Sequence, residues 1–429
     1  MSATRKDYAV LVAGSGPGGA SVARELAKNG QKVLILEWGD YEPVRGTFLQ
    51  ALPQIFMPGK SFFITGQLMG MFRGVTTGGS SLFYSATAFD PPLEMLKSYG
   101  VDIHREVDEI RDEVPVAPLA DERMSPAGMR FLKSALDLGY DAKKLNKFIF
   151  QDKCRKNCDR CMFGCPIGAK WTARNWIDDA LADGAEMINF AKVDRVIIEK
   201  GRTIGLRYTR NGRPHNVYAP TVVVAAGGIG SPLILRNSGI DGVGHNFFFD
   251  PLWFVYGTVQ DGGSGKGAQM CAGIHFEEDG IILTDFNLDP KVKAILDGQV
   301  LRFDQTVNFA NVVPIMIKVR DGLGGRITDS GWVWKSLEAS DKYKLRTGRK
   351  HARRILENMG ARDIYISWLI ASHPGGSVKI GEHLNDQLQT RIENLYVCDC
   401  SVIPEELGLP PTLTLLALGK RLAKHLLVE

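Results

Sequence analysis

The feature that most constrains this chain is a glycine turn set between two short apolar runs. Tyr8-Ala-Val-Leu-Val-Ala13 leads into Gly14-Ser-Gly16-Pro-Gly-Gly19, a helical pattern follows from Ala20 to Asn29, and then comes Lys32-Val-Leu-Ile-Leu-Glu37. A strand, a helix and a strand within about 30 residues make a βαβ unit. The G-x-G-x-x-G spacing of Gly14, Gly16 and Gly19 then has a mechanism. It gives a tight turn, close approach of backbone to a pyrophosphate, and close packing of helix on strand. The N-terminus of that helix turns its partial positive charge to the phosphates. Glu37 ends the second strand about 20 residues on, where a carboxylate accepts from ribose hydroxyls. A carboxylate there disfavours a ribose phosphate, so FAD or NAD is expected over NADP.

The same pattern returns further along. Thr221 to Ala226 reads as a second buried strand that ends in glycines and leads to the helical Pro232 to Asn237, with Val193 to Glu199 as an adjoining strand. Between 91 and 184 the pattern is helical and charged, punctuated by Pro115, Pro118 and Pro126, and is read as an insertion. Trp253 to Val259, Gly280 to Phe286 and Val312 to Val319 read as strands of a sheet closed by a helix from Asp341 to Met359. A strand Leu395 to Cys398 and a final helix Thr412 to Leu427 follow. The fold class is therefore α/β, α+β overall. A Rossmann-like FAD-binding domain is assembled from 1–90, 185–250 and 375–429, with a helical cysteine-bearing insertion at 91–184. A substrate domain on a mostly antiparallel sheet spans 251–374.

Several ordered motifs resemble the glucose-methanol-choline (GMC) oxidoreductase family. Arg73-Gly-Val-Thr-Thr-Gly78-Gly79-Ser80-Ser81 resembles the segment that runs under the flavin, and Ala226-Gly227-Gly228-Ile-Gly-Ser231-Pro232 resembles the second signature. Ser372-His373-Pro374-Gly375-Gly376 is similar to the family's histidine-glycine segment, followed in family order by Asn394 to Pro404, containing Asp399, and by Pro411-Thr412-Leu-Thr414. The resemblance implies FAD as cofactor. It implies Gly79 and Ser80 near the isoalloxazine, Asp399 near the ribityl chain or pyrophosphate, and Gly78, Ser81, Val193, Gly227, Pro411 and Thr412 among the cofactor-binding positions. No histidine lies near Gly79 for a covalent flavin link, so the FAD is expected to be non-covalent.

Oxidising an alcohol carbon by hydride transfer needs a base for the hydroxyl proton, and a histidine of near-neutral pKa suits that role. The family motif makes His373 the candidate. The family usually places an asparagine or histidine just before the proline of the last motif, where this chain has Pro410. Proline offers neither a side-chain donor nor a backbone N–H, so another side chain compensates or the reaction differs. An alcohol dehydrogenase is the leading expectation. The alternatives are an electron-transfer subunit of a redox complex, a flavin-dependent reductase of an activated double bond, and an inert relative that keeps only the fold. Phe247-Phe248-Phe249 and Trp253 fit an apolar pocket or a buried strand equally.

Four of the seven cysteines fall within twelve positions as Cys154-x3-Cys158-x2-Cys161-x3-Cys165-Pro166. This is similar to the bacterial ferredoxin run with one extra residue in the first gap, and an iron–sulfur cluster, [4Fe-4S], is expected there. Zinc and metal-free cysteines are the alternatives. A cluster beside FAD would pass electrons singly to a carrier protein or quinone. Cys398 and Cys400 flank Asp399 and read as small residues fitted to the flavin, and Cys271 as packing. Lys and Arg total 52 against 48 acidic residues, without a long run of either sign, which argues against nucleic acid as a partner. No apolar stretch is long enough to span a bilayer and no signal-peptide pattern is seen, so a cytoplasmic protein is expected, with peripheral membrane contact left open. Oligomeric state is not indicated.

Overall fold

Strands Val10–Ala13 (β1) and Val33–Leu36 (β2) are buried at every residue, as continuous apolar runs become when both faces of a parallel sheet are covered. The computed structural model describes residues 8–158, 160–262, 265–306 and 308–428. Between the two strands lies α1 (Pro17–Lys28), with Pro17 at its first position, where the missing N–H costs nothing. Glu186–Ile188 (β3), Thr221–Val224 (β4) and Leu395–Val397 (β5) complete a five-stranded sheet in the order β5-β4-β1-β2-β3. Every neighbouring pair is parallel. Helix α2 (Gly227–Asn237) follows β4, and α3 (Thr412–Leu426) packs back on α1, where Ser21 Oγ donates to the Leu416 carbonyl at 2.7 Å. The Rossmann-like, α/β character is as expected.

The second large sheet has nine strands and is mostly antiparallel. Its centre is Pro251–Thr258 against Val312–Val319, continued by Ile281–Asp285 and Ala272–Phe276. The short strand Ile370–Ala371 pairs parallel with Gly70–Phe72 at one side. The helix Ala339–Asn358 covers one face so closely that a Cβ on Gly348 would lie 2.4 Å from Ile317. Side chains alternate across a strand, so Lys318 faces away from that helix.

Two sequence readings change. Lys192–Glu199 does not join the parallel sheet; it pairs antiparallel with Arg202–Arg210 in a separate three-stranded sheet completed by Arg213–Tyr218. The left-handed turn at Lys200 (φ 50) and Gly201 (φ 82) folds it back, and β3 takes the edge beside β2. Helix α2 starts at Gly227, ahead of the expected Pro232. A proline inside a helix frees the carbonyl four residues earlier, and Ser377 Oγ satisfies that carbonyl, Gly228 O, at 2.6 Å. Of the two readings open for Phe247, Phe248 and Phe249, burial holds: all three are completely buried in the core. Among the described residues of 91–184 there are four α-helices, Leu93–Ser98, His104–Glu113, Pro126–Asp137 and Ala173–Ala182, together with short strands. Among the described residues no helix is long and apolar enough to cross a membrane.

Candidate active site

Ala13, Leu36 and Ala225, at the carboxyl ends of β1, β2 and β4, open onto a cavity of about 490 Å³. That is where ligands bind in open parallel sheets. Of the residues expected to bind a cofactor, Gly14, Gly16, Glu37, Gly79, Ser80, Ser81, Val193, Gly227, Asp399, Pro411 and Thr412 line it, and so does His373. Gly19 and Gly78 stand behind the wall. A Cβ on Gly19 would sit 2.3 Å from the Gly14 carbonyl, and one on Gly78 would sit 2.9 Å from the Arg174 nitrogen, so both glycines serve close packing.

The glycines that face the cavity behave differently. A Cβ on Gly16 or Gly227 would meet nothing within 4 Å, leaving their backbone open to a ligand. Gly79 would bring a Cβ to 3.1 Å from Gly16 Cα, so its loop lies directly on the first turn. Helices α1 and α3 both begin at the cavity, and neither N-cap, Gly16 or Pro411, has a capping side chain. Their first N–H groups and partial positive charge are therefore available to an anionic ligand.

Two buried carboxylates shape this cradle. Glu37 accepts from Ser15 N at 3.1 Å, Ser15 Oγ at 2.5 Å and Gly39 N at 2.7 Å, and burial raises its pKa against those bonds. Asp399 accepts from Gly227 N at 2.8 Å, Ser231 Oγ at 2.5 Å and Ser401 N at 2.8 Å, with burial again the leading cause of a raised pKa. Asp399 thereby pins the first residue of α2 to the loop after β5. Ser80 and Ser81 also clamp loops: Ser80 Oγ accepts from Gly74 N at 2.9 Å, and Ser81 Oγ donates to Gly78 O at 2.6 Å.

Sequence reasoning gave Arg73 no role of its own. Its partly buried guanidinium lines the cavity, donates from Nε to Lys60 O at 2.8 Å and stacks over Trp38 and Phe63. Burial pushes it down to about 10, with Glu37 opposing. Lys60 and Lys192 also lie over Trp38, at 5.4 and 5.0 Å from the ring centre. With the open glycine backbone and two uncapped helix N-termini, this cationic rim fits a dinucleotide carrying a pyrophosphate.

His373 adopts a left-handed backbone (φ 52). Its Nδ1 lies 2.8 Å from Lys318 Nζ and 3.1 Å from Asp250 Oδ2, and those two groups pair at 2.7 Å. Lys318 and Asp250 are buried, and the imidazole is partly open. Burial first, and then the Lys318 charge, lower the His373 pKa; the Asp250 contact opposes them. Lys318 and Asp250 were not anticipated. A lysine inside the apolar strand VVPIMIKV was the available signal, since a buried ammonium must find a partner.

The four clustered cysteines do not form the expected metal shell. Among the described residues no group of three or more His, Cys, Asp or Glu side chains is arranged to hold a metal ion. The segment is held instead by its backbone: Lys170 Nζ donates to the carbonyls of Cys161, Leu82 and Tyr84, and Arg123 donates to Cys154 O. Burial pushes the Cys161 thiol up to about 11, Lys170 opposes this, and the charges of Cys165, Cys154 and Cys158 add to it. Cys398 is packed against α1, where a Cβ on Gly18 would lie 2.1 Å from its carbonyl. Cys271 is buried and donates to Ala268 O at 3.2 Å.

Sequence profiles described as GMC oxidoreductase match residues 8–252 and 331–419. An uncharacterised protein of Methanocaldococcus jannaschii is 28% identical, with 98% of this chain aligned to 100% of that protein. A long-chain-alcohol oxidase of Arabidopsis thaliana is 23% identical over 97% of this chain and 68% of its own length. The solved pyridoxine 4-oxidase from Mesorbium loti superposes with a TM-score of 0.74 at 15% identity, covering 98% of this chain and 99% of that one.

Proposed function

The chain belongs to the GMC oxidoreductase family, and from that premise we propose that it oxidises a carbinol carbon of an organic alcohol on a non-covalently held FAD, with His373 as the group that handles the hydroxyl proton. It is an FAD-dependent oxidoreductase of CH–OH donors. When bound, the flavin accepts the hydride. The chain's own residues do the rest: the backbone at Gly16 and Gly227 and the starts of α1 and α3 hold the pyrophosphate, Glu37 meets the adenosine ribose, and Arg73 adds positive charge. The alcohol oxidase and pyridoxine oxidase relatives support an alcohol substrate.

The observation that carries this reading is that the imidazole of His373 and the phosphate-type cradle line one cavity. Nε2 is the ring nitrogen without a partner among the described residues, so it is the atom that meets the substrate oxygen. The test is anaerobic mixing of FAD-loaded protein with a panel of primary alcohols while flavin absorbance is followed. At least one alcohol should bleach the flavin, and His373→Ala should slow bleaching by about 100-fold or more with flavin content unchanged. Unchanged bleaching in the variant removes His373 from the chemistry.

A finer part concerns where the electrons go. The spacing of Cys154, Cys158, Cys161 and Cys165 is what supports an iron–sulfur exit to a protein or quinone acceptor. Anaerobic preparation should give about four iron and four sulfide per chain. Zinc alone, or no metal, ends that part and leaves the flavin chemistry standing.

A further inference from the structure

Lys318 and Asp250 have no role in the reading above, yet they are the partners of the histidine that lines the cavity. An ammonium carries three donors and no acceptor, whereas a neutral imidazole offers one N–H and one lone pair. At 2.8 Å from Nδ1, a charged Lys318 therefore donates to the Nδ1 lone pair, and the ring proton sits on Nε2. In that arrangement Nε2 is a donor toward the cavity and cannot receive a proton. If Lys318 is neutral, Nδ1 carries the proton and Nε2 is the free base.

We propose that Lys318, held by Asp250, exchanges a proton with Nδ1 of His373, so that the imidazole relays the substrate's hydroxyl proton inward instead of keeping it. The proposal rests on the alcohol-oxidising reading of this site. During oxidation the hydroxyl O–H bond breaks and a bond from that proton to Nε2 forms. The Nδ1–H bond breaks and a new N–H bond forms on Lys318, while the carbon's hydride leaves to the flavin and the C–O bond becomes a carbonyl. The products inside the protein are an Nε2–H imidazole and an ammonium paired with Asp250 Oδ2 at 2.7 Å. Asp250 is itself held from two sides, since its Oδ1 accepts from Gly408 N at 3.1 Å and its own N–H donates to Asp321 Oδ1 at 2.9 Å. The positive charge is thus created where a carboxylate already waits. The same path run backwards returns the proton from Nε2 to the carbonyl oxygen while the carbon takes back the hydride.

Among the described residues, Asp250 and, further off, Asp321 and the Cys400 thiol act on Lys318, while Asp321 is itself paired with Lys335 at 2.8 Å. Burial lowers the Lys318 pKa and Asp250 opposes it, so a neutral Lys318 is reached at lower pH than for a lysine in water. Because the relay starts from neutral Lys318, oxidation should speed up as pH rises through the Lys318 titration.

The experiment uses FAD-loaded protein labelled with nitrogen-15 histidine, with His373→Gln to assign the resonance. In the wild type at neutral pH, Nδ1 should be unprotonated and Nε2 protonated, with the pattern inverting at higher pH. Lys318→Arg keeps a donor and the pairing with Asp250 but cannot give up its proton. It should hold the Nε2–H form at every pH, slow flavin reduction by alcohol about 100-fold and flatten the basic rise. Lys318→Met with Asp250→Asn removes both buried charges together, which folded proteins tolerate better than losing one. This variant should release the fixed tautomer. A wild-type Nδ1 that stays protonated at neutral pH, or a Lys318→Arg protein with the wild-type pH profile, overturns the relay. Absence of bleaching by any alcohol, with the tautomer behaviour intact, would instead count against the alcohol reading.

Discussion

Asp285 and Asp321 are two buried carboxylates that burial pushes up to about 6, with neighbouring lysines opposing. A carboxylate whose folded pKa lies above its unfolded value favours folding while protonated. For Asp285 that contribution is complete below about 4 and is lost as pH rises through about 6. Asp285→Asn should therefore gain stability relative to the wild type as pH rises from about 4 to about 7, by up to about 3 kcal/mol. Urea melts at the two ends of that window check it, and a constant difference across them refutes it. The residue scale is also where the sequence was least legible. His373 could be found because a motif surrounds it. Asp250 lies 123 residues from it and Lys318 lies 55 away, and nothing in linear spacing shows that strands and loops so far apart meet at one nitrogen. Arg73 was visible in its motif, but its place on the cavity wall and its stacking on Trp38 belong to tertiary structure.

Among the elements, periodic apolar runs were the legible part. Val312–Val319 was read to the residue, and the final helix to within one position, because buried strands and amphipathic helices leave patterns of fixed period. The start of α2 was missed because two glycines and a proline look like a turn until Ser377 supplies the missing partner. The pairing of Lys192–Glu199 was missed because strand sequence does not name the strand's neighbour. The contact of α1 with α3 is similarly tight. A Cβ on Gly419 would lie 2.6 Å from Ser21 Cβ and 2.7 Å from Gly18 O, so Gly419→Ala must push the last helix off the first. Overpacking of this kind costs about 1–3 kcal/mol. Because both helices begin at the cofactor cradle, the variant should lose flavin on gel filtration as well as melt earlier. A lowered melting temperature with full flavin retention would show that the cradle does not depend on this contact.

At the scale of the whole molecule, the strand order β5-β4-β1-β2-β3 draws on residues 10–13, 33–36, 186–188, 221–224 and 395–397 for one sheet. Closing a sheet between distant segments costs loop entropy before any pairing repays it. The wall around Asp399, Pro411 and Thr412 is supplied by the last of these segments and the helix behind it. Translation arrested with residues up to 390 outside the ribosome should therefore yield nascent chains that do not retain flavin, whereas release of residues 1–429 should permit capture, measured by co-sedimentation of fluorescent FAD. Until synthesis passes Leu395–Val397, the growing polypeptide is a vessel with one side missing, because Thr221–Val224 has no neighbour on that side of the sheet.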